Sequence, residues 1–187
     1  MKSITKDHII ATLFLVLTLL FIAAAMTNNS FFNWAFERHY NQWSWYLRPV
    51  FLIPFCHMAY KQFLSGMSIS LFCLFTSMFW FDKPDFVDKQ IVEFLQFEKE
   101  WLQSSWNYEK VIFVISIPVS LFLLALAFWK RIILIGLGVL VLIAVGKVIW
   151  SIQNAGQSGK SIIMPAIFGL IICTLPIYFG FKKLEKK

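Results

Sequence analysis

The residues able to do chemistry in this sequence are few, and most stand at the ends of long apolar runs. Arg48 lies immediately before Pro49, about one helical turn inside a cluster formed by Trp43, Trp45 and Tyr46. A cation embedded in an apolar segment is costly and marks functional positions in membranes. Two fates suit it there. Its head reaches the interface, or pairs with an acid of a neighbouring surface helix. Otherwise it faces an anionic ligand or a lipid headgroup. Lys147 occupies a similar depth in a later run, and Arg38 precedes the tryptophan cluster. Arg48, Arg38, Trp43, Trp45 and Lys147 are therefore the candidate ligand-binding residues.

A second constellation is carboxylate-based. Glu37 and His39 are suited to general acid–base work, but near neighbours on a helix do not converge on one proton path unaided. Asp82, Asp85 and Asp88 recur every third residue, which suits either a divalent cation or a helix start. The helix start is expected, with Asp82 as N-cap, Pro84 in the first turn and Asp85 favouring the helix dipole. A cation site would need a further ligand, and Glu37 is the outer acid available elsewhere.

The remaining signals are weaker. Cys56 and His57 are adjacent, yet Cys56, Cys73 and Cys173 all fall in apolar runs without a paired-cysteine motif, so they read as packing residues. Gly156-Gln157-Ser158-Gly159-Lys160-Ser161 ends like a phosphate loop, but Asn154 stands where that motif needs glycine and no strand precedes it. It reads as a turn of small polar residues. No catalytic group, metal or cofactor is assigned from these patterns.

The elements that must position these residues follow from composition. Of 187 residues, 59% are hydrophobic and only 14% are charged, with a mean hydropathy of +0.70. A soluble domain carries roughly a quarter charged residues. Too little charge remains to cover a soluble surface, which excludes a soluble enzyme, a disordered chain and a disulfide scaffold. The formal charge of +7 sits at span ends, where it sets topology and meets lipid headgroups. No basic stripe with interleaved aromatics lies outside the spans, so nucleic acid is not expected as a partner.

Crossing a bilayer takes roughly 20 apolar residues as a helix. The expectation is an all-α polytopic transmembrane bundle, one integral membrane domain over 1–187, with six spans at about 9–26, 43–60, 63–81, 111–129, 132–150 and 161–181. The first run is too long for a signal-peptide core and reads as a retained span. Pro49 and Pro54 should bend the second, and Gly66 and Ser70 let helices approach closely at the third. Residues 84–103 place Val87, Ile91, Phe94, Leu95, Trp101 and Leu102 at helical spacing opposite charged residues, predicting an amphipathic helix docked over the bundle. Lys2, Lys6, Lys61, Lys130, Arg131 and the lysine-rich tail then share one side, the cytoplasmic one by the positive-inside rule. The expected location is a bacterial inner (plasma) membrane with both termini cytoplasmic. No internal repeat is evident.

The function expected is a non-catalytic protein of transport or accessory type, binding a small anionic or amphipathic ligand or lipid at its outer face near Arg48. Its expected partners are membrane lipids, with a membrane protein or a second copy also compatible. Two alternatives stand beside it. One is a lipid-modifying enzyme using Glu37, His39 and the Asp82/Asp85/Asp88 cluster; the other is a structural subunit of a membrane complex.

Overall fold

The computed structural model describes residues 2–185, with side chains described for 5–182. Every regular element among them is helical: α1 (Lys2–Thr27), α2 (Asn29–His39), α3 (Trp43–Leu47), α4 (Leu52–Tyr60), α5 (Leu64–Thr76), α6 (Lys89–Gln103), α7 (Tyr108–Trp129), α8 (Ile133–Ala155) and α9 (Ile163–Glu185). Four helical segments are long and apolar enough to cross a membrane: Thr5–Thr27, Tyr108–Trp129, Ile133–Ala155 and Ser158–Lys182. Leu13, Leu20, Leu142 and Phe179 point outward from them. An outward-facing apolar surface of that length is what lipid solvates and water does not. The chain thus has the helices of an integral membrane protein.

Six helices of spanning length were expected, and two segments depart from that. Residues 43–60 do not form one helix. A 3₁₀ turn at Arg48–Phe51 separates α3 from α4, with Pro49 at its start. Proline lacks the N–H that an α-helix needs and its ring crowds the preceding turn, so the chain tightens here instead of bending smoothly. Residues 63–81 form the short α5, 13 residues long, closed by a 3₁₀ turn at Ser77–Phe79. Pro118 and Pro176, by contrast, lie inside α7 and α9 without dividing them.

α1 and α5 run parallel. The Asp7 carboxylate accepts from the backbone N–H groups of Leu64 (3.2 Å) and Ser65 (2.9 Å), capping α5. Phe14 then meets Phe72 and Phe21 meets Phe79, each at 5.6 Å. Asp7, Phe14 and Phe21 are spaced by seven, as are Ser65, Phe72 and Phe79. Ala11 and Thr18, buried between them, complete a heptad seam. Because α1 and α5 point the same way, the chain between them returns along the bundle through α3 and α4.

The tight turns gather at one end. Gln62 and Arg131 both adopt positive φ, 56° and 60°, and the Gln62 side-chain amide donates to the Trp129 carbonyl at 3.4 Å. Phe181 packs on Tyr60 at 4.7 Å and on Phe128 at 5.2 Å. Asp7, the two turns and the far part of α9 thus share this basic end, whose core is Phe55, Cys56, Ala59, Leu124, Phe128 and Ile177.

The opposite end is closed by α2, α6 and a 3₁₀ turn at Ser158–Ile162, around Phe32, Phe36, Trp45, Ile91, Phe94 and Leu95. α6 was expected from about residue 84 with Asp82 as its cap. It starts instead at Lys89, where the Asp88 side chain accepts from Gln90 N–H at 2.8 Å. Pro84 disfavours helix in the residue before it, and residues 80–88 run irregularly. The side facing the bundle carries Ile91, Phe94 and Leu95, all buried, while Gln90, Glu93, Gln96 and Glu100 are exposed.

Candidate functional site

The site lies at the capped end, where α2, α3, the Arg48 turn, α6 and α8 converge. His39 closes α2 and is buried. Its Nδ1 lies 3.2 Å from Ser44 Oγ, and its carbonyl accepts from the Trp45 indole N–H at 2.9 Å. These two bonds fold the short α2–α3 connection onto itself and fix Trp45 inward. The Trp45 ring then meets Phe94 of α6 edge-on at 6.0 Å.

From α8, Lys147 reaches the same place. Its ammonium pairs with Glu98 of α6 and lies 4.8 Å from the Trp150 ring centroid and 5.6 Å from that of Phe94. Trp150 itself stacks on Phe113 at 4.4 Å and packs against Trp101 at 5.0 Å. The ammonium is held between a carboxylate and ring faces, with about a third of the Lys147 side chain still exposed.

Arg48 begins the 3₁₀ turn. It lies within electrostatic range of Glu98 and of His39. Its Nε is buried and has no hydrogen-bond partner among the described residues. A buried polar group without a partner is uncommon, because it forfeits its bonds to water. His39 carries the electrostatic imprint of the arrangement. Burial first, then the positive charges of Arg48 and Lys147, hold its imidazole well below the ordinary value of 6.5, so the ring is neutral at pH 7.

Of the five sequence-designated residues, Arg48, Lys147 and Trp45 come together. Arg38 does not join them: its guanidinium lies over Trp34 at 4.2 Å, and Trp34 packs on Phe79 at 5.2 Å beside α1 and α5. Trp43 is 70% exposed and meets Tyr46 at 6.4 Å. Glu37, His39 and the aspartates take separate partners. Glu37 pairs with Lys83 at 3.5 Å across an exposed surface, His39 faces Ser44, and Asp88 caps α6. Asn41 donates to the Asp82 carbonyl at 3.0 Å. Among the described residues, no three His, Cys, Asp or Glu side chains gather as a metal site.

Two contributors were not singled out from sequence. Glu98 supplies the counter-charge to Lys147. Lys110, only 1% exposed, donates to the carbonyls of Leu102 (2.8 Å) and Ser104 (2.7 Å) and lies over Trp101 and Trp106. It fastens the C-terminal end of α6, where carbonyls lack helical partners and a cation suits the dipole. Compared with protein family models, curated proteins and solved structures, the chain has no significant match.

Proposed function

We propose that the chain crosses a bacterial inner membrane six times, with both termini cytoplasmic and α6 over the outer end, and that it binds an anionic ligand there without catalysis, in a transport-type or accessory role. The six-crossing reading is supported by the parallel α1/α5 seam, which needs a return path through α3 and α4. Those residues, 43–60, are enough for about 27 Å at helical rise, close to the hydrocarbon thickness. The cytoplasmic assignment is supported by Lys61, Lys130, Arg131 and Lys182 at one end.

The observation that carries the binding reading is the buried Arg48 Nε, which has no hydrogen-bond partner among the described residues. Lys147 is balanced by Glu98 and His39 is neutral, so Arg48 leaves the cluster with one uncompensated positive charge within electrostatic range of His39 and Glu98. A buried cation is tolerated when an anion completes it. Guanidinium, with its planar fork of donors, matches phosphate and carboxylate oxygens better than ammonium does.

The test is ligand retention. The protein is purified in mild detergent from a membrane extract and bound anions are weighed by native mass spectrometry. Wild type retains an anionic species, and Arg48→Gln, still helical by circular dichroism, loses it with affinity lowered about 10- to 100-fold, as for a charge-assisted hydrogen bond. Equal retention by a folded Arg48→Gln protein overturns the reading.

A further inference from the structure

The charges that meet at the capped end specify more than an anion. Arg48 contributes a positive charge. Lys147 and Glu98 form a pair whose charges cancel. His39 is neutral, hemmed in by Arg48 and Lys147. Other charged groups on the packed elements have partners of their own: Glu37 with Lys83, Arg38 on Trp34, Lys110 on the carbonyls of Leu102 and Ser104, Lys89 with Glu93 and Glu100 with Gln96, while Lys99 of α6 is partly exposed. Lys160 is exposed on the neighbouring turn. Arg48, Lys147 and Glu98 therefore sum to one unbalanced positive charge, beside the rings of Trp45, Phe94 and Trp150.

Burying an anion against this cluster leaves no residual charge only when the anion is singly charged, because each uncompensated charge in a low-dielectric site is costly. A dianion would need a second cation, and Glu98 has already taken Lys147. The membrane supplies singly charged oxyanions at this depth as the phosphodiesters of its lipids, and the neighbouring rings of Trp45, Phe94 and Trp150 suit the glycerol and upper acyl region. We infer that the site takes a phosphodiester-bearing lipid headgroup, read by Arg48, and that Glu98 sets the preference for one negative charge over two. This rests on the anion-binding reading above and sharpens it.

The test uses the full chain in detergent, with thermal unfolding as the readout of binding. The probes are short-chain phosphatidylglycerol, a phosphodiester, short-chain phosphatidic acid, a phosphomonoester, glycerophosphoglycerol as the soluble diester without chains, and a medium-chain fatty acid. Wild type should be stabilised by phosphatidylglycerol at concentrations about tenfold below those needed for the others. Glu98→Gln frees Lys147, and the preference should move to phosphatidic acid. The double variant Lys147→Gln/Glu98→Gln restores the wild-type charge count and should restore the preference for phosphatidylglycerol. Should Glu98→Gln not fold, Lys147→Gln, which cancels the net charge, should lose phosphatidylglycerol binding.

A wild-type preference for phosphatidic acid or for the fatty acid, or a Glu98→Gln protein with unchanged preference, overturns the phosphodiester assignment while an Arg48-dependent anion site survives. Equal affinity for glycerophosphoglycerol overturns the lipid source. Binding unaffected by Arg48→Gln overturns the anion site itself.

Discussion

At the scale of single residues, charge placement decides the chemistry. His39 has a folded-state pKa held below its free value by burial and by the two cations. Its contribution to stability is therefore complete above pH 6.5 and is lost as pH falls below that value towards the folded one, because only the unfolded chain takes up the proton. Wild-type stability should decline on acidification through this window, and His39→Gln should flatten that decline while leaving stability at pH 8 within about 1 kcal/mol of wild type. Chemical unfolding at stepped pH reads both slopes. Parallel slopes would place the acid sensitivity elsewhere.

Arg48 and Lys147 were legible as cations inside apolar runs, and Trp45 as an aromatic beside them. Glu98 was legible too, though only by register: Ile91, Phe94, Leu95, Trp101 and Leu102 define an inward stripe, and Glu98 falls on it. An acid on an apolar face is itself a signal of a buried cation. Which cation it meets depends on how α6 lies across α8, and no local pattern encodes that. Arg38 and Trp43 stand apart from the other three because proximity in the chain is not proximity in space. α2 turns Arg38 away towards Trp34, and Trp43 lies on the outer side of α3.

At the scale of elements, the capped end is held by close approaches and by α6 fastenings. A Cβ added at Gly159 would lie 2.0 Å from the Ser151 carbonyl oxygen, and backbone on both sides cannot yield. Gly159→Ala should destabilise the protein by about 1–3 kcal/mol, as overpacking does, and lower its melting temperature; an unchanged melting temperature would mean that the Ser158–Ile162 turn does not sit against α8. Lys110→Met keeps the apolar stem over Trp101 but leaves the Leu102 and Ser104 carbonyls unpaired. Its expected cost is about 1–3 kcal/mol, with faster hydrogen exchange confined to the last turn of α6. Uniform exchange across the chain would contradict a local fastening.

The long helices were readable from apolar length alone, because a spanning helix needs little else. α6 was readable by its period, but its start was misplaced from Asp82 to Asp88: three acids at equal spacing are equivalent caps in sequence, and Pro84 decides between them only through the backbone. The division of residues 43–60 was hinted at by Pro49. Whether a proline bends a helix or breaks it depends on what packs against the turn, here Gly169 of α9, whose Cβ would stand 2.7 Å from Pro49 Cγ.

At the scale of the molecule, everything proposed for the outer site depends on the chain returning through the membrane between α1 and α5. Cysteine labelling tests this most directly. Cys56, Cys73 and Cys173 are replaced by serine or alanine, and single cysteines are placed at Gln62, in the turn before α5, and at Gln96, on the exposed side of α6. Six crossings predict that a membrane-impermeant maleimide added to intact cells labels position 96 at once and position 62 only after permeabilisation. Labelling of position 62 from outside would put the α4–α5 turn on the same side as α6. Residues 43–79 would then be a re-entrant loop, and both the six-crossing topology and the depth assigned to Arg48 would be wrong.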